Sequence, residues 1–182
     1  EHCPSINMIT PHWYGSYDVT NGIVTKTSVQ VIGIWPQWHD IEDRSVTMGR
    51  PFTRIDDEQH LNVCLINDKA IEELDLDRAP VGDTILIHGR KFMIIGVVET
   101  KDLGPMFGGG ETRTEVFVPF TTAQNLNPYG WLNYAVAEMT DTEAVDDVKA
   151  DGLSHGLHLL LTDYLAGTPY ADRLTSAAAV IN

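Results

Sequence analysis

The chain is predicted to be α+β, and three observations lead there. Apolar runs of strand length recur through the first two thirds of its 182 residues. Turn dipeptides fall between them, and β-α-β material brackets the strand-rich middle of the chain. With 43% apolar and 21% charged side chains, the composition can bury a full core.

The elements follow in order. Asn21-Gly22 separates two strand-forming runs, Tyr14 to Thr20 and Ile23 to Ile34, and is the strongest local hairpin signal. A break is expected at Trp35-Pro36. Met48-Gly49-Arg50-Pro51-Phe52 reads as a turn leaving a short strand, and Arg54 to Gln59 as an acidic loop. Leu61 to Ile66 is a continuous apolar strand, buried on both faces. Asn67 or Asp68 caps a short helix from Lys69 to about Leu74. Strands Thr84 to His88 and Lys91 to Glu99 form a second hairpin through Gly89-Arg90. A glycine-rich loop, Lys101 to Arg113, precedes the strand Glu115 to Val118. Thr121 or Thr122 then caps a helix that ends before Pro128. Trp131 to Met139 alternates as a strand, and Asp141 opens a helix to about Leu153 with acidic residues at its positive end. An apolar run, Leu157 to Leu161, and a helix from Tyr170 to Val180 close the chain.

Charge excludes some functions. Acidic residues outnumber basic ones 26 to 12, for a net charge of −14. Such a surface is repelled by nucleic-acid phosphates and by anionic lipid. No window reaches the roughly 18 uninterrupted apolar residues of a membrane span. The start, EHCPSINMIT, lacks the basic and apolar regions of a signal peptide. Two cysteines, Cys3 and Cys64, have no zinc-type spacing; Cys64 reads as a small buried thiol, and whether the two pair is left open.

Each candidate for chemistry has a plainer explanation. Gly152-Leu153-Ser154-His155-Gly156 matches G-x-S-x-G, but a nucleophile elbow needs a strand before the serine and a helix after it. Here the order is reversed, and a helix C-cap at Gly156 accounts for the glycine. Asp56, Asp57, Glu58 and His60 have the side chains of a metal site without the glycine and closing glutamate of a calcium loop; a solvated acidic turn explains them. His155 and His158 would share a metal only on a helix, which Gly156 opposes. The loop from Gly104 to Gly110 lacks the Lys-Ser/Thr ending of a phosphate cradle. Trp13, Trp35, Trp38 and Trp131 are too dispersed for a stacking platform and are expected in the core or at an interface. Neither metal nor cofactor is expected.

The order VQVIGIWPQWHDI, VTMGRPFT, NVCLIND, APVGDTILIHGRKFMIIGVVE, GPMFGGGETRTEVFVPF and DTEAVDDVKADGLSHG resembles the MacB-like periplasmic core domain. The most specific parts are Gly49-Arg50-Pro51-Phe52, Val81-Gly82-Asp83 followed by Phe92 to Val97, and Phe117-Val118-Pro119. The resemblance runs from about Ile6 to His158. It marks Gly49, Arg50, Phe52, Gly82, Phe92, Gly96 and Pro119 as structural motif positions.

The resemblance implies a β-rich, Sabre-like subdomain over residues 14–128. A porter-like α+β subdomain would be built from both ends of the chain, residues 1–13 and 129–165, and is read as truncated at its start. Residues 166–182 would be a helix leading towards a second membrane helix. It further implies an extracytoplasmic domain of a bacterial inner-membrane ABC transporter permease, without a catalytic site or cofactor of its own. Its partners would be the permease's own membrane helices, a cytoplasmic ATPase acting through them, a second permease subunit and a periplasmic adaptor or substrate protein. The tight hairpin around Gly89 leaves no room for the hook of lipoprotein-releasing relatives, so MacB-type export or signalling is expected. Met106, Phe107 and Gly108 are the candidate partner contact, because a glycine-rich loop carrying two large apolar side chains suits an adaptable surface. The competing readings are a secreted serine hydrolase using Ser154 and His155, or an unrelated extracytoplasmic binding domain.

Overall fold

The computed structural model describes residues 6–100, 113–127 and 134–139. Its eight strands are β1 (Ile6–Thr20), β2 (Thr25–Ile34), β3 (Val46–Gly49), β4 (Val63–Asn67), β5 (Thr84–Ile87), β6 (Arg90–Val98), β7 (Glu115–Pro119) and β8 (Tyr134–Met139). Four short helices join them: α1 (Trp38–Glu42), α2 (Arg54–Glu58), α3 (Asp68–Glu73) and α4 (Phe120–Leu126). The chain divides into two compact units, Ile9–Val136 and a second made of Glu1–Met8 with Ala137–Asn182. In the second, Asn7 Nδ2 donates to Glu138 Oε2 at 2.7 Å.

In the larger unit six strands close on themselves. β1 pairs with β2, β2 with β7, β7 with β4, β4 with β6, β6 with β5, and β5 again with β1. The pairs β2/β7 and β4/β6 are parallel; the other four are antiparallel. Alternation fixes what lies inside this small barrel. Ile85 and Ile87 are fully buried, whereas Thr84 between the same neighbours is exposed. Register carries the inner face around the ring through Phe92, Ile94, Cys64, Ile66, Val116, Val31 and Val19. Such a continuous aliphatic interior is the main source of burial free energy, at roughly 25 cal/mol per Å² of apolar surface.

A second core covers the outer wall. Ile32, Ile34, Val63, Leu65, Ile95, Val98 and Phe117 face away from the interior and pack under Trp38 and Phe52. β4 and β7, with the second halves of β2 and β6, are thus apolar on both faces, which is why Val63–Ile66, Val116–Val118, Val31–Ile34 and Ile94–Val98 read as apolar runs. Trp13, Trp35 and Trp38 are all buried, Trp38 in this outer core.

Several expectations are corrected. The run expected at Tyr14 to Thr20 is the second part of a longer strand, β1, which starts at Ile6. The first hairpin has a four-residue turn, Asn21 to Val24, because Asn21 Oδ1 accepts from the amides of Ile23 and Val24 and holds them out of the ladder. The second turns through His88-Gly89, not Gly89-Arg90. Both residues have positive φ (49° and 76°), the primed geometry that matches strand twist. After the break at Trp35-Pro36 the chain forms α1, where no helix was expected. The supposed acidic loop at residues 54–59 contains α2, started by a Thr53–Asp56 capping box. The α4 N-cap is Pro119, not Thr121 or Thr122.

β6 carries β4 along one edge and first β5, then β3, along the other. Where β3 arrives, Gly49 faces Gly96. A Cβ on Gly96 would lie 2.8 Å from the Met48 carbonyl oxygen and 2.9 Å from that of Arg50, both backbone atoms with nowhere to move. One on Gly49 would strike the Ile95 carbonyl, and Gly49 also has φ +80°. Gly96→Ala is therefore expected to cost about 2 kcal/mol or more, lowering the thermal midpoint by about 5 °C or more. Gly22, with open space around its Cα, should tolerate alanine better, at about 1 kcal/mol for its positive φ alone. Thermal denaturation of the two variants checks the order.

Candidate functional site

The motif residues converge on the β3–β6 crossing and what it supports. Beyond Gly49, the Arg50 amide donates to the Ile95 carbonyl at 3.0 Å, continuing the β6 contact for one more residue. The Arg50 guanidinium then grips Asp56 through two bonds, Nη1 to Oδ2 at 2.7 Å and Nη2 to Oδ1 at 2.9 Å. Asp56 also accepts from the Thr53 amide and hydroxyl, both at 2.7 Å. The Arg50 bond, the largest cause, acts against the opposing effect of burial and, together with Thr53, pulls the Asp56 carboxyl down to about 2. Phe52 drops into the outer core between these two anchors. Gly82 donates its amide to the Ile94 carbonyl at 2.8 Å, and Phe92 fills the barrel interior. Pro119 ends β7 opposite Ile34 and starts α4.

Asp57, next in sequence, faces the other way. Pro119 has no side chain to cap α4, and Asp57 serves instead. Its Oδ1 accepts from the Thr121 amide at 2.9 Å, and the Thr121 hydroxyl donates to the Asp57 carbonyl at 2.6 Å. Asp57 is 1% exposed and its Oδ2 has no hydrogen-bond partner. Burial pushes its carboxyl above the usual range, against the opposing pull of Thr121. The expected solvated acidic turn is thus overturned: Asp56 and Asp57 are both buried and point at different partners. Among the described residues, no group of three or more His, Cys, Asp or Glu side chains is placed to hold a metal. Only the Thr53-x-x-Asp56 spacing signalled this arrangement in the sequence.

Of two further anchors, Arg44 had no sequence signal, whereas Asn67 is the α3 N-cap that the sequence offered beside Asp68. Arg44, buried between sheet and helix, donates through Nε and Nη2 to the Glu99 carbonyl at 3.0 and 2.9 Å. Its Nη2 also reaches Glu115 Oε2 at 2.9 Å. The same guanidinium lies 5.2 Å from the Trp38 ring and 5.1 Å from Phe117, adding a cation–π contribution. Asn67 joins three elements: its Oδ1 accepts from Ala70 and Glu115 amides, and its Nδ2 donates to the Arg113 carbonyl. His12 is buried beside Trp38, with Nδ1 3.2 Å from the Tyr14 hydroxyl, and burial lowers its pKa to about 4.

An open groove of about 730 Å³ runs beside β1 and β2, with Lys26, Glu73, Arg113 and Thr114 among its lining. Lys26 pairs with Glu73 at 3.0 Å, and Thr114 donates to the same carboxylate, which those two partners hold below its ordinary range. Cys64 is free, and burial raises its thiol pKa. Met106, Phe107 and Gly108 lie outside the described residues, as do the Gly152–Gly156 motif with Ser154 and His155, His158, Trp131, Cys3 and the expected helices after residue 140.

What these anchors define is a packed α+β scaffold in which the side chains of Arg44, Asp56, Asp57 and Asn67 bond backbone groups. A model of the MacB-like periplasmic core domain matches residues 1–151, and the chain belongs to that family. The macrolide export ATP-binding/permease protein MacB of Aggregatibacter actinomycetemcomitans is 28% identical over 120 residues, which are 66% of this chain and 18% of that protein. MacB 1/2 of Paracoccus denitrificans is 26% identical over 159 residues, 84% of this chain and 23% of that protein. The chain therefore spans about a fifth of the length of these relatives. The crystal structure of the periplasmic region of MacB from Actinobacillus actinomycetemcomitans superposes with TM-score 0.67 at 22% identity, over 88% of this chain and 68% of that one. The extracellular domain of the noncanonical ABC-type transporter YknZ from Gram-positive bacteria gives 0.66 at 18% identity, over 79% and 70%.

The titrating anchors set the pH behaviour. Asp56 has a depressed pKa, so its contribution is complete above its unfolded value of 3.8 and is lost as pH falls through about 2. With Arg50 half exposed, that contribution is on the order of 1–2 kcal/mol. His12 acts in the same direction, losing its contribution as pH falls from 6.5 through 4. Asp57 has a raised pKa and opposes both: its contribution is present below 3.8 and lost as pH rises through its folded value. Asp57→Asn keeps the acceptor for Thr121 and removes the buried charge, so at pH 7 its melting temperature should equal or exceed that of the parent. Asp57→Ala leaves α4 uncapped and should lose about 1–2 kcal/mol. Melting curves at pH 4 and pH 7 check both signs.

Proposed function

We propose that the chain is the extracytoplasmic domain of an ABC transporter permease and relays ATP-driven movement of membrane helices to a periplasmic partner or substrate. The family match across residues 1–151 carries this reading. The named functions of the MacB relatives, which couple an ATP-binding and a permease part, are consistent with it. A relay needs a body that transmits displacement without deforming. A closed barrel with a second core on its wall has that character, because close-packed interiors transmit strain. On this reading the domain has no catalytic site or cofactor of its own. ATP is hydrolysed in the cytoplasm, by an ATPase either fused to the permease or separate. The permease works as a pair of subunits in the bacterial inner membrane. On the same reading the membrane helices belong to the rest of the parent polypeptide; among the described residues no helix is long and apolar enough to cross a membrane.

Met106, Phe107 and Gly108 are proposed to touch the periplasmic partner or the second subunit. Two measurements test the reading. Membrane topology mapping of the parent polypeptide should place this chain between its first and second membrane helices; a secreted protein with no spans would remove the proposal. The double variant Met106→Ser with Phe107→Ser should leave the domain's melting temperature nearly unchanged and lower transport by the intact permease. A fall of several degrees would instead put Phe107 in a core. A broad esterase or amidase activity abolished by Ser154→Ala would favour the hydrolase reading.

A further inference from the structure

We infer that the β1–β2 hairpin tip is a second partner contact, in which Ile23 enters an apolar socket rimmed by basic side chains on a periplasmic protein. The tip is built, not merely left over. Asn21 Oδ1 accepts from the Ile23 and Val24 amides at 2.8 and 2.7 Å, and the Asn21 amide donates to the Val24 carbonyl at 3.2 Å. Thr20 donates its hydroxyl to the Val24 carbonyl at 2.6 Å and accepts from the Gly22 amide at 3.0 Å. A sixth bond, Asn21 Nδ2 to the Leu74 carbonyl at 2.7 Å, ties the tip to the end of α3. These bonds spend the loop's conformational entropy before any partner arrives.

The side chain this frame presents is 91% exposed, the most exposed large apolar residue among those described. Reversing the chain requires no isoleucine there; the neighbouring hairpin does it with His88-Gly89. Charge gives the partner's chemistry. The segment Asp68 to Arg78, to which Asn21 is tied, holds five acidic and two basic residues; Glu72 and Glu73 are paired with Lys69 and Lys26, and Asp75 and Asp77 are exposed, as is Arg78, for a net acidic segment. One apolar anchor with an acidic surround is complementary to an apolar socket in a basic surface, where charge steers encounter and the buried side chain supplies affinity.

The inference rests on the permease reading, and one experiment separates the two. A benzophenone amino acid is placed at position 23, or at the exposed Ile55 as control, in the intact permease in its own cells. The expected result is an adduct with one separate polypeptide from position 23 that Ile55 does not give. That polypeptide, purified, should bind the permease in nanodiscs with a Kd that Ile23→Asp raises at least tenfold and that rising salt also weakens. Because the side chain is exposed, Ile23→Asp should leave the melting temperature unchanged; the crosslink reads the contact without that variant. No adduct above the Ile55 level, an adduct only with lipid or a second permease copy, or a Kd indifferent to Ile23→Asp or to salt overturns the inference and leaves the permease reading intact. A parent protein without membrane helices overturns the permease reading itself.

Discussion

The close approach of Gly49 to Gly96 is the constraint on which much of the larger unit depends. It lets β3 reach the same edge of β6 that β5 has just left. From that crossing the chain is directed step by step. Arg50 continues the contact to Ile95, turns to hold Asp56, and so fixes the start of α2. α2 carries Asp57 to the uncapped end of α4. α4 in turn packs on β2 at Gly33, where a Cβ would collide with Ala123. Each step uses a polar group that would be costly to leave unpaired in a dry environment, so the steps support one another.

Much of this was legible in the sequence, for physical reasons that differ by element. β4 and β7 show as strands because both their faces are apolar, one towards the barrel and one towards Trp38 and Phe52. Gly89 announces its hairpin because a primed turn needs positive φ. Gly49 and Gly96 stand out in the sequence as motif glycines, but that they face each other is visible only in the fold. Closure into a ring was not legible, since it depends on which strands meet. Val31 pairs with Val116 and Val19 with Ile87, and no local pattern encodes either partner. Arg44 was missed because its role comes from Glu99, Glu115 and two aromatic rings brought from distant parts of the chain. Asp57 was misread because an aspartate beside other acids looks solvated until its distant partner, Thr121, is in place.

The same pattern bears on how the domain works. Among the described residues, the charged and polar groups that are most deeply engaged serve backbone: Arg44 holds a strand end, Asp56 a helix start, Asp57 another helix, and Asn67 a three-way junction. Polar chemistry spent on fixing geometry suits a body that must keep its shape while its surroundings move. On the proposed relay reading, the exposed isoleucine beside an acidic segment is a surface left for contact.

The parallel pairing of β2 with β7 has a consequence for the way the chain folds. The ring cannot close until Val116 and its neighbours are available to Val31, and the entropy of bringing such distant segments together must be met before the contacts return it. A chain emerging from its N-terminal end would hold the β1–β2 hairpin with one apolar strand edge open through most of its emergence. The four-residue β3 cannot shield that edge, because it is committed to β6. Closure of the ring is thus expected late in folding, and until it happens an unpaired apolar edge stays open to wrong partners.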